Sequence, residues 1–205
     1  MAEFDVIKPR PLLEYRTLSY NKSLIKEAIE QGGPVVLSGV FQEAGTLNQN
    51  GRIYPREILE REIAKFQDAI NENRAYGALD HPDSSIVELS NAAVLIKELG
   101  WNGNQVVGKL EVLDTSKGKD LIGCLKSGGS VGISSRAFGS THRNNEGHEI
   151  VNEDLSLITF DAVASPSVAK AILSESYMPK PQQKSYTIDR FAVINEILDT
   201  INKNY

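Results

Sequence analysis

A hydroxyl, an imidazole and a carboxylate can pass a proton along a line, and this chain carries all three in separated motifs. The hydroxyls lie in GGSVGISSRAFG at 128–139. Gly128 and Gly129 allow a tight approach, and Val131, Ile133 and Phe138 have the β-branched or aromatic character of a buried strand, which then carries Ser134 and Ser135. A serine placed beside glycine, where backbone comes close, can act as a nucleophile with amides aimed at the developing negative charge. A Ser-rich turn is the competing reading.

The imidazole is His81, in YGALDHPDSS at 76–85. Pro82 keeps the preceding residue out of helical angles, so the ring is held on an extended or turning backbone. Imidazole is the usual proton acceptor for a serine, and a solvated loop histidine is the alternative. Asp80 and Asp83 flank it, either as charges beside the ring or as turn residues. The carboxylate is Asp161, in DLSLITFDAVASPS at 154–167. A period of two puts Leu155, Leu157, Thr159, Asp161 and Val163 on one face and Ile158, Phe160 and Ala162 on the other. A carboxylate in so apolar a run requires a partner, and His81, Arg136 or a backbone amide would each serve. His142 and His148 read as solvated, with either open as a third member of a triad.

Composition narrows the classes. A chain of 205 residues can bury a full core as one domain with short appendages. A net charge of −5 and a pI near 5.3, with no basic run, argue against nucleic acid as a partner. No leader-like segment and no bilayer-length apolar run appear, so no membrane is expected. The single cysteine, Cys124, implies a reducing compartment and reads as small core filler. Neither metal-ligand spacing nor a Walker or dinucleotide glycine pattern is present, so the expected cofactor is none and the expected metal is none.

Elements must bring the three motifs together. Residues 1–20, with Pro9 and Pro11, read as a loosely held arm, followed by a short helix at 21–31 that Gly32 and Gly33 stop. A strand is predicted at 35–41, and NQNGRIYP at 48–55 reads as a turn into an amphipathic helix at 56–70, with Pro55 in its first turn. Asn102-Gly103 predicts a hairpin between strands at 91–99 and 105–113. Thr115 or Ser116 caps a helix to Lys126 whose inward side includes Cys124, the serine strand follows, and 142–149 reads as loop. A turn of helix at 168–173, a linker at 174–185 and an amphipathic helix at 187–201 complete the chain. The domain reading is thus 1–32 as arm and short helix, 33–173 as the central domain, and 174–205 as linker and helix.

Taken in order, NQNGRIYP, a helix, LDHP, GISSRAFG and FDAVASPS resemble the prohead core protein proteases of T4-like tailed phages. These belong to a wider group of capsid-maturation serine proteases similar in fold to the herpesvirus assembly proteases. The resemblance covers roughly 33–167 and implies an α+β, mainly β fold with a barrel-like antiparallel sheet and flanking helices. It implies a serine endopeptidase of the Ser-His-Asp type, with His81 as general base, Ser134 as nucleophile and Asp161 as the orienting member, a position that is histidine in the herpesvirus branch. Alternation puts Ser134 and Ser135 on opposite faces, so one of them meets His81. The backbone amides of Ser135 and Arg136 are the expected oxyanion donors, with the Arg136 side chain adding positive charge or else pairing a carboxylate.

Relatives of this type are similar in cutting after Glu in Leu/Ile-x-Glu sequences, in scaffold or core proteins, in the major capsid protein and in themselves. Matching self-sites here end at Glu14, Glu175 and Glu196, with Glu175 expected to be cut first and to release the C-terminal helix from a zymogen. A glutamate pocket needs a cation, for which Arg52, Lys97, Lys109, Arg136 and Arg143 are candidates. The resemblance further implies action inside the prohead, in the host cytoplasm, and a homo-oligomer is expected. Two other readings stand beside it: a non-catalytic β-barrel ring or tube subunit of a phage particle, and a Ser-Lys protease, which lacks a lysine in apolar surroundings.

Overall fold

The serine motif grows into a long strand, β7 (Val131–Arg143), which has neighbours on both edges. In the computed structural model, which describes residues 6–164 apart from 19, 83 and 85, β1 (Val6–Thr17) and β9 (Ser156–Ala164) flank β7 antiparallel. At the far end of β7 follow β8 (Glu149–Val151) and, parallel to it, β3 (Arg52–Ile53). A second antiparallel sheet runs β2 (Val36–Glu43), β6 (Gln105–Val112), β5 (Ala92–Asn102), β4 (Tyr76–Ala78). Helices α1 (Lys22–Glu30), α2 (Arg56–Asn71) and α3 (Ser116–Lys126) flank the sheets. The mainly β, barrel-like architecture with flanking helices is therefore the observed one. Phe41 of β2, Phe66 of α2 and Phe160 of β9 meet at its centre, with ring centroids 5.3 and 5.6 Å apart.

Local chemistry sets most element ends. The Asn21 side chain accepts from the amides of Ser23 and Leu24 to start α1, and Thr115 accepts from Gly118 to start α3. Pro55 precedes α2 as its N-cap, one position outside the first turn expected for it. The 102–104 turn joins β5 to β6 as the Asn-Gly pair predicts. No helix among the described residues is long and apolar enough to cross a membrane. The linker, the C-terminal helix, Glu175 and Glu196 lie outside the described residues.

Three sequence expectations are corrected. The N-terminal arm is β1, an edge strand on which prolines are tolerated because one side of it has no ladder to supply, and a register shift between Ile7 and Arg10 absorbs Pro9. The loop at 142–149 is a hairpin: β7 continues to Arg143, Asn144 Oδ1 accepts from the amides of Glu146 and His148, and β8 follows. Cys124 is exposed, because the inward stripe of α3 uses Gly118, Leu121 and Leu125.

Placing β1 in the sheet also removes Glu14 as a cleavage site in the folded chain. Its carboxylate is buried and accepts from Arg52 Nε at 2.6 Å, Tyr54 Oη at 2.8 Å and Asn50 Nδ2 at 2.6 Å. A protease needs an extended, accessible segment, and this one is paired and sealed. Burial, followed by the Glu14 charge, pushes the Tyr54 hydroxyl well above the ordinary tyrosine range, so it serves Glu14 as a neutral donor.

Two side chains of α2 bond the approach to β9 and its start. Arg61 Nη2 donates to the carbonyls of Glu153 at 2.7 Å and Leu155 at 3.1 Å, while Glu62 Oε2 accepts from the Leu157 amide at 3.0 Å. Burial alone would raise the Glu62 carboxyl, but hydrogen bonds from Lys65, Leu157 and Arg61 outweigh it and hold the group below its ordinary value of 4.5. A depressed folded-state pKa gives stability that is present above the unfolded value and lost as pH falls through the folded one. Glu62→Gln should therefore be less stable than wild type at about pH 7, with the gap closing by about pH 3, as urea unfolding at the two values will measure.

Close approach of β4 to β9 depends on Gly77. A Cβ built there would lie 2.1 Å from the Phe160 carbonyl oxygen and 2.8 Å from Val94 Cγ2. Gly77→Ala should cost about 2–3 kcal/mol and lower Tm by about 5–10 °C, read by calorimetry.

Candidate active site

Sheet register supplies two of the three groups. Ser134 of β7 pairs directly with Asp161 of β9, so both side chains project from the same face. The third comes from the chain that crosses this face. Thr159 Oγ1 donates to the Tyr76 carbonyl at 2.6 Å, and the Ala78 amide donates to Asp161 Oδ1 at 2.8 Å. The Asp80 amide donates to the Ala162 carbonyl at 2.8 Å, beside an isolated parallel bridge between Leu79 and Ala162. Asp80 has φ 59°, a left-handed conformation that aspartate tolerates better than most residues, and the turn it makes delivers His81 over Asp161.

The imidazole lies between the other two groups. His81 Nδ1 is 2.9 Å from Asp161 Oδ2, and His81 Nε2 is 2.9 Å from Ser134 Oγ. A carboxylate only accepts, so the hydrogen belongs on Nδ1, which leaves Nε2 to accept from the serine hydroxyl. Ser134 and Asp161 are wholly buried, and the ring is the exposed edge of the row, with 14% of its side chain reaching solvent.

Asp161 takes all three partners that the sequence left open. Besides His81 and the Ala78 amide, it accepts a fork from Arg136, Nε to Oδ2 at 2.8 Å and Nη2 to Oδ1 at 3.2 Å. The remaining Arg136 nitrogen, Nη1, donates to the Ser84 carbonyl, which fastens the chain just beyond His81. The guanidinium is therefore a carboxylate partner, one of the two roles that the sequence left open for it. Ser135 and Arg136, whose amides were the expected oxyanion donors, lie where β7 pairs with β1 on one side and β9 on the other.

Ser135 points to the opposite face, where its Oγ accepts from Gln42 Nε2 at 3.0 Å within the core. His142 and His148 take no part. His142 bonds Asn152 near the end of β7, about 26 Å from Ser134 at the usual strand rise, and His148 sits beside Glu146. Of the candidate cations, Arg52 is spent on Glu14 and Arg136 on Asp161, Lys109 pairs with Glu98, Lys97 reaches Asn73, and Arg143 ends β7. Sequence reasoning missed Tyr15, which pairs with Ser134 from the β1 side and sets its ring 5.5 Å from the His81 ring at 68°. Its only sequence signal was the alternation of Leu12, Glu14 and Arg16 against Leu13 and Tyr15, which the prolines of β1 obscured. Among the described residues no group of His, Cys, Asp or Glu could hold a metal ion.

Comparison with known proteins gives the family and the fold. The chain is 36% identical over 153 residues to the prohead core protein protease of enterobacteria phage T4, a match covering 71% of each chain. The solved structure of the bacteriophage T4 capsid assembly protease superposes with a TM-score of 0.67 at 29% identity, covering 76% of this chain and 98% of that one. A family model described as prohead core protein serine protease matches residues 2–182, and the chain belongs to that family.

Proposed function

We propose that this prohead protease is a serine endopeptidase in which Ser134 is the nucleophile, His81 the general base and Asp161 the group that orients the ring. The observation that carries the reading is the His81 ring bridging a serine hydroxyl and a buried carboxylate at 2.9 Å on each side. Ser134 Oγ attacks the scissile carbonyl carbon as Nε2 takes its proton, and the imidazolium so formed is balanced by Asp161. The same proton passes to the leaving amine as the C–N bond breaks, which leaves an acyl group on Ser134. A water molecule, deprotonated by Nε2, then releases the acid and restores the hydroxyl. Arg136 keeps the carboxylate fixed throughout, because its fork spans both oxygens.

The substrates on this reading are scaffold or core proteins and the major capsid protein inside the prohead, cut after Glu in Leu/Ile-x-Glu sequences. The apolar half of that preference has support near the nucleophile. Leu13 pairs with Arg136 and Pro11 with Phe138, so the Ser134 face continues along β7 and β1 with apolar side chains, Phe138 being 45% exposed. Two residues of strand span about 6.6 Å, which matches the separation of alternate residues in an extended substrate. Self-cleavage after Glu175 and then Glu196 stays in the proposal, and Glu14 leaves it.

Incubation with a peptide containing Leu-Ser-Glu tests the assignment. Ser134→Ala should reduce cleavage to background, Ser135→Ala should stay within about tenfold of wild type, and Asp161→Asn should lower kcat by about 10⁴. Retained cleavage by Ser134→Ala with loss in Ser135→Ala would overturn it.

A further inference from the structure

Two hydrogen bonds hold the His81 ring, one at each nitrogen, and together they define a line through it. Rotation about that line lengthens neither bond much, so the pair alone does not fix the tilt of the ring. Such rotation swings Cβ, which lies off the line, so the tilt is held jointly by the backbone between left-handed Asp80 and Pro82 and by what packs on the ring. What stands against the ring is Tyr15, in an edge contact with centroids 5.5 Å apart and planes at 68°.

Tyr15 is held in that place from behind. It pairs with Ser134 in the β1–β7 ladder, so it shares a face with Ser134 and Asp161 and completes a row across three strands. The next residue back, Glu14, points to the other face, where Arg52, Tyr54 and Asn50 grip its carboxylate. Arg52 also donates to the Leu13 carbonyl at 3.1 Å, and Asn50 Nδ2 to the same oxygen at 2.8 Å. The strand therefore cannot slide or peel back without breaking a buried ion pair. Burial, and then the charges of Glu14 and Asp80, raise the Tyr15 hydroxyl above its ordinary range, so a neutral ring faces the imidazole.

We infer that Tyr15 is a positioning residue for His81: its ring sets the tilt of the imidazole, so that Nε2 stays aligned as the proton moves from Ser134 to the leaving amine. This rests on the reading of His81 as general base. It makes β1 part of the catalytic apparatus, since the wall of the base and the clamp behind that wall lie on adjacent residues of one edge strand.

The test uses the full chain, with two readouts: hydrolysis of a Leu-Ser-Glu peptide and the rate of labelling by a fluorescent fluorophosphonate. Tyr15→Leu should lower kcat and the labelling rate by about tenfold with KM unchanged, the size an aromatic contact confers, and Tyr15→Phe should restore both to within about twofold of wild type. A leucine variant with wild-type kcat would overturn the inference, as would one in which KM rises while kcat holds, because Tyr15 would then be a wall for substrate. Should the leucine variant fail to fold, nuclear Overhauser contacts between the Tyr15 and His81 ring protons of the folded wild type decide: their presence supports the inference and their absence overturns it. Labelling of a Ser134→Ala protein at the wild-type rate would instead overturn the site assignment, and the role of Tyr15 with it.

Discussion

The organisation of this protein turns on one carboxylate that has been taken entirely out of water. Burying a charge costs several kcal/mol unless hydrogen bonds and a counter-charge replace its hydration, and Asp161 receives donors from Arg136, His81 and the Ala78 amide. Each donor belongs to a different part of the chain: β7, the turn after β4, and β4 itself. Satisfying the carboxylate therefore draws the two sheets together at the same point where the imidazole meets the serine. Stability and site geometry share a single set of bonds, which is why a small β strand such as β4 can be so closely constrained.

How much of this was legible in the sequence depended on where the determining contacts lie. β7 and β9 were readable because apolar alternation marks them, and Asp161 stood out because an acid in such a run demands a partner. The helices were readable from spacing and caps, and the β5–β6 hairpin from its Asn-Gly turn. β1, β4 and β8 were not, since an edge strand with prolines, a strand of three residues and a polar hairpin carry little periodic signal. Their positions are fixed by distant partners: Glu14 by Arg52 and Tyr54, Tyr76 by Thr159, and β8 by β3 and β7.

Within the site the same distinction holds. The motifs named a hydroxyl, an imidazole and an acid, and the fold aligns those side chains. They left open which of the candidate partners surround each group. That Ser135 and Arg136 sit in a strand paired on both edges is a property of sheet order rather than of local sequence. Likewise the double duty of β1, with Tyr15 on one face and Glu14 on the other, exists only once register is known. The non-catalytic barrel reading gives way to a protease because the family match and this alignment coincide on one chain.

The Arg61–Glu62 pair on α2 has a bearing on traffic around the enzyme. An open β edge is a berth for any extended peptide, and a protease is by nature surrounded by such peptides. By answering the Leu155 carbonyl just before β9 and the Leu157 amide within it with side chains, the helix imitates a neighbouring strand over that short stretch. A passing chain finds those two groups already engaged, so the start of β9 is closed to strand addition.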